Sequence, residues 1–274
     1  MSFKVCVLGS GSSGNCTVVW TETEALIIDC GRLSYRYVTE QLAELGVPLN
    51  HIKGILITHA HTDHISNTAV RMARANSIPI YIHKRIYNNI LSGTRDCGIE
   101  RLNEKLIRYH AETRFRVGEF LVFPFNTHHR AGCVTMSLGF CVVFKGKKIS
   151  YITDCGTIDE DIVNAMSGSN AAVIESNHDI GMVHNGTRHW AAKQWVLSDD
   201  GHLSNDSAAE LIRRIGGADS PLRNVLLAHI SEDHNILDEV AGHVAGLVGD
   251  DSVKLYVTYH RERSDVIDIE EGSK

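Results

Sequence analysis

The sequence contains no apolar run close to the roughly 18 residues that a membrane-spanning helix needs, so we expect no contact with a membrane. The first residues, Met1-Ser2-Phe3-Lys4, lead directly into a short strand-like run instead of a signal peptide, which predicts a soluble, cytoplasmic protein. Only four prolines occur among 274 residues, and no Ser/Gly-rich or like-charge run is long enough to form a linker. We therefore expect a single domain over residues 1–274.

Cysteine pairs with metal-binding spacing are also absent. The seven cysteines are an odd number and include no C-x-x-C pair. They are predicted to be reduced, mostly buried side chains in a reducing compartment, not a disulfide framework or a thiolate zinc site. An excess of positive charge is missing as well, because 27 Lys and Arg stand against 33 Asp and Glu, a formal charge of −6. The chain is therefore not a generally basic nucleic-acid coat protein.

Positive charge is nevertheless concentrated in one segment, residues 71–116. This segment holds ten Lys and Arg against four Asp and Glu, a local balance of +6. The pattern predicts a basic face suited to an anionic substrate. The alternative is that these charges only solvate the surfaces of helices.

Short apolar runs with strand character recur along the chain, separated in places by stretches with helical spacing. The predicted strands are 3–8, 25–29, 54–58, 78–82, 119–125, 138–144, 148–153, 171–175, 224–228 and 254–257. The predicted helices are 35–45, 66–75, 159–166, 206–215 and 237–247. This mixture indicates an α/β or α+β class.

Histidine is unusually frequent in this chain, with sixteen copies. Its neutral imidazole is the commonest protein ligand for transition metals. Four potential ligands lie within six positions directly after the predicted strand 54–58, in the run His59-Ala-His-Thr-Asp-His64. Residues beyond the carboxyl end of a central strand lie at the sheet edge, where several loops converge on a ligand. The first two histidines can point to one side while Asp63 and His64 turn to a second point, a spacing that suits two metal ions.

The run from Thr58 to His64 resembles the T-H-x-H-x-D-H signature of the metallo-β-lactamase superfamily. The resemblance implies a four-layer αββα sandwich of the α/β class, with a metal site at one rim of two facing sheets. It also implies three further ligands, each directly after a strand. The candidates are His129 after 119–125, Asp154 after 148–153 and His229 after 224–228.

This resemblance implies two divalent metal ions, Zn²⁺ or Mn²⁺, bound by oxygen and nitrogen ligands without thiolate. The implied ligand sets are His59, His61 and His129 for one ion and Asp63, His64 and His229 for the other, with Asp154 bridging the two. Two choices stay open. His128 precedes His129 and is an alternative ligand, and His260 is a rival of His229 as the last ligand.

Four further stretches narrow the resemblance to the YycJ/WalJ family, over residues 4 to about 235. They are Gly9-Ser-Gly-Ser-Ser-Gly-Asn15, Glu175-Ser-Asn-His-Asp179, Gly201-His-Leu-Ser-Asn205 and His229-Ile-Ser-Glu-Asp-His-Asn235. Members of that family, bacterial and phage-borne, are associated with metal-dependent 5′→3′ exonuclease activity on DNA and share their fold with ribonuclease Z. The resemblance therefore implies a nucleic-acid substrate, DNA in preference to RNA.

The resemblance also assigns catalytic roles. Asp63 would orient the attacking water, and His202 resembles the ribonuclease Z histidine that protonates the leaving oxygen. Glu175 would hold the other nitrogen of His202, which fixes the tautomer and raises the basicity of the ring. The alternatives are an ordinary helix start with a surface histidine at 201–205 and a polar strand end at Glu175.

The glycine-rich loop after the first strand is a candidate phosphate site. Its glycines allow inward-facing N–H groups, and its short polar side chains add donors. The loop lacks the G-K-[ST] ending of a Walker A motif, so nucleotide hydrolysis of that type is disfavoured. A tight turn without a ligand is the alternative. The predicted phosphate- or substrate-binding residues are Ser10, Gly11, Ser12, Ser13 and Asn15 in the loop, with Asn177 and Ser204 elsewhere.

The sequence therefore predicts a dinuclear metal-dependent phosphodiesterase, foremost a 5′→3′ exodeoxyribonuclease acting on DNA. Three alternatives remain: a ribonuclease of the ribonuclease Z type, a small-molecule hydrolase of the lactonase or thioesterase kind on the same metal site, and a non-catalytic binding module. A small-molecule hydrolase needs an enclosed apolar pocket and no phosphate cradle. DNA and RNA are not separated by the sequence, because both are phosphodiesters and no reader of the 2′-OH is visible.

Overall fold

The strands of this protein form two sheets. The computed structural model describes residues 2–93, 97–132 and 134–269. In these residues the strands are β1 (Lys4–Gly9), β2 (Cys16–Trp20), β3 (Ala25–Ile28), β4 (Ile52–Leu56), β5 (Ile80–His83), β6 (Ile107–His110), β7 (Phe115–Val117), β8 (Phe120–Thr127), β9 (Ser137–Phe144), β10 (Lys147–Ile152), β11 (Ala171–Glu175), β12 (Asn224–Ala228), β13 (Lys254–Val257) and β14 (Ile267–Asp268).

Helices connect many of these strands. They are α1 (Tyr35–Glu44), α2 (Asn67–Asn76), α3 (Lys84–Ser92), α4 (Glu160–Met166), α5 (Ile180–Asn185), α6 (Trp190–Val196), α7 (Asn205–Ile215) and α8 (Leu237–Val248). Short 3₁₀ turns occupy Leu49–His51, Ile99–Arg101 and Glu104–Leu106. In the part of the chain that the structure describes, no helix combines the length and the apolar character that crossing a membrane requires.

The two sheets have the same mixed plan. The first has the strand order β14-β1-β2-β3-β4-β5-β6, and the second has the order β13-β12-β11-β10-β9-β8-β7. Strands β3 to β6 run parallel in the first sheet, and β10 to β13 run parallel in the second. The remaining neighbours are antiparallel. The carboxyl ends of the parallel strands in each sheet therefore share one edge.

The main core lies between the two sheets and contains Phe3, next to β1, and Ile55 of the first sheet together with Phe120 and Val173 of the second, all fully buried. Side chains alternate across a strand, so Ile174 points the other way and packs with α4, α7 and α8 in a second cluster. Buried residues of α1, α2 and α3 cover the outer face of the first sheet. The layers are helix, sheet, sheet, helix, which confirms the predicted αββα sandwich.

The predicted elements agree with the structure except for the short ones. All ten predicted strands and five predicted helices are present, with ends that differ by at most two residues. The prediction missed the strands β2, β6, β7 and β14 and the helices α3, α5 and α6. Three of these strands are sheet edges of two to four residues, and α5 and α6 have only six and seven residues, too few to display a period. In contrast, the apolar run of β2 and the helical spacing in α3 were readable.

The remaining sequence expectations concern cysteines, domain count and charge. The six described cysteines are free and buried, as expected. Because the two sheets share one core, we propose that the chain forms a single domain. The basic segment 71–116 runs from α2 to β7 along the β6 edge of the first sheet, and its Arg95 and Asp96 lie outside the described residues.

Candidate metal centre

The predicted ligands all follow strands and converge at one edge of the sandwich. The histidine run follows β4, His129 follows β8, Asp154 follows β10 and His229 follows β12. Ligand atoms of His59, His61, His129 and Asp154 lie within 4.8 Å of one another, as do those of Asp63, His64 and His229. The fold thus brings together residues that are 170 positions apart at the extremes, because the carboxyl ends of the parallel strands meet there.

The first ligand group, made of His59, His61, His129 and Asp154, is compact. His59 Nε2 lies 3.0 Å from His61 Nδ1, and His129 Nε2 lies 3.4 Å from the same atom. Asp154 Oδ1 is 3.7 Å from His129 Nε2. The alternative ligand His128 lies outside this group, because its Nε2 donates to Asp159 Oδ2 at 2.6 Å and its side chain is partly exposed.

The second ligand group consists of Asp63, His64 and His229, and Asp154 of the first group also faces it. Asp63 Oδ2 lies 3.7 Å from His64 Nε2 and 3.8 Å from His229 Nε2. Asp154 Oδ2 lies 3.0 Å and 3.7 Å from the same two nitrogens. One oxygen of Asp154 therefore faces each group. The rival ligand His260 is placed elsewhere, with its Nε2 2.7 Å from the Ile230 carbonyl.

The ring nitrogens that face away from the centre are held by acceptors. The pairs are His59 Nδ1 with Thr58 Oγ1 (3.0 Å), His64 Nδ1 with Asp29 Oδ2 (2.7 Å), His129 Nδ1 with the Gly201 carbonyl (2.9 Å) and His229 Nδ1 with Glu175 Oε1 (3.0 Å). An acceptor on Nδ1 fixes the tautomer in which Nε2 presents its lone pair, and such partners typically accompany histidine ligands of metals. The four rings are therefore oriented for a cation in advance.

Unpartnered atoms also indicate a cation. Asp154 Oδ2 and His229 Nε2 are buried, and among the described residues neither makes a hydrogen bond of good geometry, although Asp154 Oδ2 lies 3.0 Å from His64 Nε2. Leaving a buried polar atom unpaired costs about 1–3 kcal/mol, and more for a charged group. Both atoms point into the group where the second ion is predicted. The donor set of imidazole nitrogens and carboxylate oxygens therefore fits divalent metal ions.

The charges agree with this fit. Burial lowers the pKa of His59, His61 and His129, so these rings are neutral, the form that binds metals. His64 and His229 are also buried, but Asp154 raises the pKa of His64 well above its usual value and that of His229 to about 10. In return, despite its burial, the two rings hold the pKa of Asp154 well below its usual range. A divalent cation would replace the protons on these rings.

The backbone at the site adopts a conformation that is uncommon outside glycine. Asp29, Asp154 and His229 have φ values of 58°, 56° and 54°, in the left-handed region that concentrates at functional sites. Gly31 allows a further close approach, because a Cβ there would lie 1.8 Å from the Asp63 carbonyl oxygen. Only glycine therefore lets the loop after β3 lie against the histidine run.

The glycine-rich loop after β1 has a different arrangement from the predicted phosphate cradle. Ser10 Oγ donates to Asn15 Oδ1 at 3.1 Å and accepts the backbone N–H of His229 at 2.8 Å. Asn15 is buried, and its Nδ2 lies 3.2 Å from the Asp63 carbonyl and 3.0 Å from His64 Nε2. Gly11 N donates to Asn15 Oδ1 at 2.8 Å. These three residues thus support the ligands from behind instead of facing a substrate.

Only the next two residues of the loop lie at the surface. Ser12 is exposed and lines the cavity beside the metal ligands, and Ser13 is half-buried with its hydroxyl 3.2 Å from His260 Nδ1. Gly11 keeps φ at +129° above the His260 ring, where a Cβ would lie 2.5 Å from the ring. The sequence prediction therefore groups five loop residues that the fold divides into a supporting set and an exposed set.

The two predicted substrate residues outside the loop also have structural partners. Asn177 Nδ2 donates to the His229 carbonyl at 2.7 Å, and the residue lines the cavity beside the ligands. Ser204 is the N-cap of α7, and its Oγ accepts the Ser207 N–H at 3.1 Å. Ser204 does not line that cavity, so its hydroxyl serves the helix.

Glu175 and His202 form a pair next to the ligands. Glu175 Oε1 accepts from His202 Nδ1 at 2.8 Å and from His229 Nδ1 at 3.0 Å, while Oε2 accepts the N–H groups of Cys155 and Leu203. Burial alone would raise the pKa of Glu175, but the two histidines and these bonds lower it to about 2. The ionised carboxylate fixes both rings, which leaves Nε2 of His202 for a bound substrate.

The His202 ring lies between protein and solvent. It stacks on His229 with the ring centroids 5.2 Å apart, and Trp195 meets it edge-on at 5.1 Å. Both rings and Trp195 line a cavity of about 140 Å³. No basic residue from the described part of 71–116 lines this cavity, so the predicted basic face does not form its wall.

Comparisons with known proteins agree with this geometry. A family model described as a beta-lactamase superfamily domain matches residues 26–230. The exodeoxyribonuclease YycJ of Bacillus anthracis is 30% identical over 236 residues, 86% of this chain and 85% of that protein. The exodeoxyribonuclease WalJ of Streptococcus pneumoniae serotype 2 is 30% identical over 237 residues, 86% of this chain and 84% of that protein. This chain is a YycJ/WalJ-type member of the metallo-β-lactamase superfamily.

Solved structures show the same architecture. YhfI from Bacillus subtilis, a metallo-beta-lactamase fold protein, superimposes with a TM-score of 0.70 over 97% of this chain and 99% of its own, at 14% identity. At that identity the likeness concerns the fold alone. Together with its relatives and its His/Asp cluster, the fold makes this YycJ/WalJ-type chain a metal-dependent hydrolase.

Asp29 is a buried partner of the candidate ligand His64 that the sequence prediction treated only as a strand end. Besides His64 Nδ1, it accepts the N–H and hydroxyl of Thr58 at 2.9 and 2.8 Å, and it is fully buried. A carboxylate directly after the apolar run Ala25–Ile28 was the available signal, since a buried charge needs partners.

The Asp29→Asn variant is expected to bind metal about 10- to 100-fold more weakly, because its single amide oxygen must serve both the Thr58 N–H and His64 Nδ1, which the carboxylate accepts on separate oxygens. Metal affinity is measured by competition with a chelator on the folded variant. The matched control is Asp219→Asn, an exposed site. Equal affinity in wild type and Asp29→Asn would contradict the role given to Asp29.

Proposed function

We propose that this hydrolase is an exodeoxyribonuclease that degrades DNA in the 5′→3′ direction with two divalent cations, Zn²⁺ or Mn²⁺. The observation that carries the proposal is Asp154, whose two oxygens face two separate ligand groups, and His229 of the second group lines the cavity. Two ions about 3.5–4 Å apart are typical of nucleases and phosphatases. The relatives named exodeoxyribonuclease, similar over 86% of this chain, support DNA as the substrate.

In this proposal the residues that hold the cations are those of the two groups. They are His59, His61 and His129 for one ion and Asp63, His64 and His229 for the other, with Asp154 shared. When bound, such ions lower the pKa of water and offset negative charge on a phosphoryl group. Asp63 is partly exposed at its side chain, unlike Asp154, and is therefore able to orient the attacking water as well as to bind metal.

His202 is the proposed proton donor to the leaving oxygen of the phosphodiester. Its Nδ1 is committed to the Glu175 carboxylate at 2.8 Å, so Nε2 is the nitrogen that delivers the proton. The ring lines the cavity, where a substrate oxygen can approach. Glu175 acts through His202 and His229 and does not touch the substrate, so it is a positioning residue.

The lining of the cavity favours a nucleic acid over a small apolar ester. Polar and charged side chains predominate, among them Ser12, His234, Glu232 and the ion pair of Arg188 with Asp233, while apolar contacts come mainly from Trp195 and Ile230. A lactonase or thioesterase site is expected to be enclosed and largely apolar. Cleavage of RNA is the remaining alternative within the nuclease class.

The test is digestion of end-labelled single- and double-stranded DNA by metal-loaded protein, with labelled RNA in parallel. We expect stepwise loss of nucleotides from the 5′ end, and a rate at least about 10³-fold lower in His61→Ala, because metal assistance contributes several kcal/mol. The control is His51→Ala, which removes the histidine that precedes β4, at the opposite end of that strand from the histidine run. If the metal-loaded wild type cleaved DNA no faster than His61→Ala, the proposal would be refuted. Cleavage of RNA alone would support the ribonuclease alternative.

A further inference from the structure

A second cavity, of about 460 Å³, lies on the other side of the glycine-rich loop from the one that His202 lines. Its lining residues are Ser13, Arg32, Leu33, Ser34, Tyr37 and Arg261. Both charged residues in this lining are arginines, and none is acidic. The nearby acids Glu232 and Glu262 line a neighbouring cavity, to which Arg261 also contributes. The cavity is therefore a positively charged recess beside a site that handles phosphodiesters.

Arg32 is held rigidly next to the metal ligands. Its Nε and Nη2 donate to Thr62 Oγ1 at 3.1 and 2.7 Å, and its Nη1 donates to the Ser12 carbonyl at 3.1 Å. Thr62 precedes the ligand Asp63, and Ser12 lines the active-site cavity. A guanidinium has five N–H groups, so two remain available. Arg32 thus presents a fixed cation at the boundary between the two cavities.

Arg261 approaches the same recess from the segment after β13. It is exposed, and among the described residues its guanidinium has no hydrogen-bond or ion-pair partner. The neighbouring His260 is fixed by the Ile230 carbonyl at 2.7 Å and by Ser13 Oγ at 3.2 Å. Arg261 is therefore mounted on a stretch that is tied to both the His229 loop and the glycine-rich loop.

We propose that Arg32 and Arg261 form a second phosphate site, which binds a phosphate group of the substrate strand next to the scissile one. This inference rests on the proposed nuclease function. A planar guanidinium with two available N–H groups matches the oxygens of a phosphate. The phosphate that these two arginines would bind is either an internal phosphodiester of the strand or its terminal 5′-phosphate. This site takes over the role that the sequence suggested for the loop, since Ser10, Gly11 and Asn15 are engaged behind the ligands.

The test is binding of a short single-stranded DNA that carries a dye at its 3′ end and either a phosphate or a hydroxyl at its 5′ end. Affinity is measured by fluorescence anisotropy on metal-free protein, where no cleavage occurs, between about 50 and 200 mM salt. Arg261→Gln is the decisive variant, because Arg261 contacts no residue of the histidine run. Arg32→Gln is the second, and Arg36→Gln, an exposed arginine on α1 paired with Glu40, is the matched control.

We expect each of the two variants to weaken binding by about tenfold and to reduce the salt slope by about one phosphate contact, while Arg36→Gln retains the wild-type slope. An equal loss for both 5′ ends identifies an internal phosphodiester, and a loss confined to the phosphorylated end identifies the terminal phosphate. Unchanged affinity and slope in both variants overturn the proposal. Altered binding without DNA cleavage by the metal-loaded wild type would refute the nuclease function and leave the phosphate site standing.

Discussion

We expect the Asp154→Asn variant to hydrolyse DNA at least about 10³-fold more slowly than the wild type and to lose at least one equivalent of bound metal. The reason is that Asp154 is the one described residue whose two oxygens face both ligand groups, at 3.7 Å from His129 Nε2 and 3.0 Å from His64 Nε2. The amide keeps the shape of the side chain but removes the negative charge and one acceptor oxygen, so one ion loses this ligand and the other keeps only a neutral amide oxygen. Metal content by elemental analysis after gel filtration and the rate of DNA digestion are the measurements.

The matched control for this experiment is Asp161→Asn, an exposed aspartate in the first turn of α4. It changes the net charge equally and lies seven positions further along the chain, so it should keep both metal and activity. Full metal content in Asp154→Asn would contradict the shared-ligand role. Retained activity with lowered metal content would contradict the need for two ions.

The His202→Ala variant is expected to lower kcat on DNA by about 10²- to 10⁴-fold, the usual contribution of a positioned proton donor. Metal content should stay at the wild-type level, because His202 belongs to neither of the two ligand groups assigned to the ions. The effect depends on the leaving group, since an alkoxide needs a proton and a nitrophenolate does not. On a phosphodiester with a p-nitrophenolate leaving group we therefore expect the loss to stay below about tenfold.

Two further variants sharpen the assignment of His202. Glu175→Gln should lower both kcat and metal affinity, because Glu175 Oε1 fixes His229 as well as His202. The matched control is His189→Ala, an exposed histidine at the start of α6. An equal loss in His202→Ala for the two kinds of leaving group would exclude a proton donor, and loss of metal in that variant would make His202 a ligand instead.

Much of the candidate site is readable from the sequence because its ligands follow strands that are themselves readable. The run from His59 to His64 is contiguous, and Asp154 and His229 come directly after apolar runs that could be assigned to strands within one or two residues. The end of a strand in a parallel sheet fixes where the following residue lies. Local sequence therefore indicates the histidine run and the strand ends, and the resemblance to the metallo-β-lactamase superfamily selects Asp154 and His229 as the side chains that meet it.

The sequence could not choose between neighbours or find partners that are distant along the chain. His128 and His129 are equivalent as letters, and only the path of the chain after β8 directs His128 to Asp159 and His129 to the cluster. Asp29 is 35 positions from His64, so their contact depends on the pairing of β3 with β4. The missed edge strands β6, β7 and β14 are too short to carry a period, and their pairing partners determine them.

The alternation of strands and helices and the dense histidine run at 59–64 are local properties of the chain, so they indicate the α/β class and the first candidate ligands, whereas the family and the remaining candidate ligands follow from the resemblance to the metallo-β-lactamase superfamily. The tertiary structure was needed to show which carboxylate faces both ligand groups, which ring nitrogens are held by acceptors outside the groups and which side chains face solvent. The glycine-rich loop shows the difference: its residues suggest a phosphate cradle, yet the packing of Asn15 against Asp63 and His64 turns half of it inward. Tertiary packing also brings Arg32 and Arg261 to the proposed phosphate site. They are 229 positions apart, and the loops on which they lie meet only in the folded sandwich.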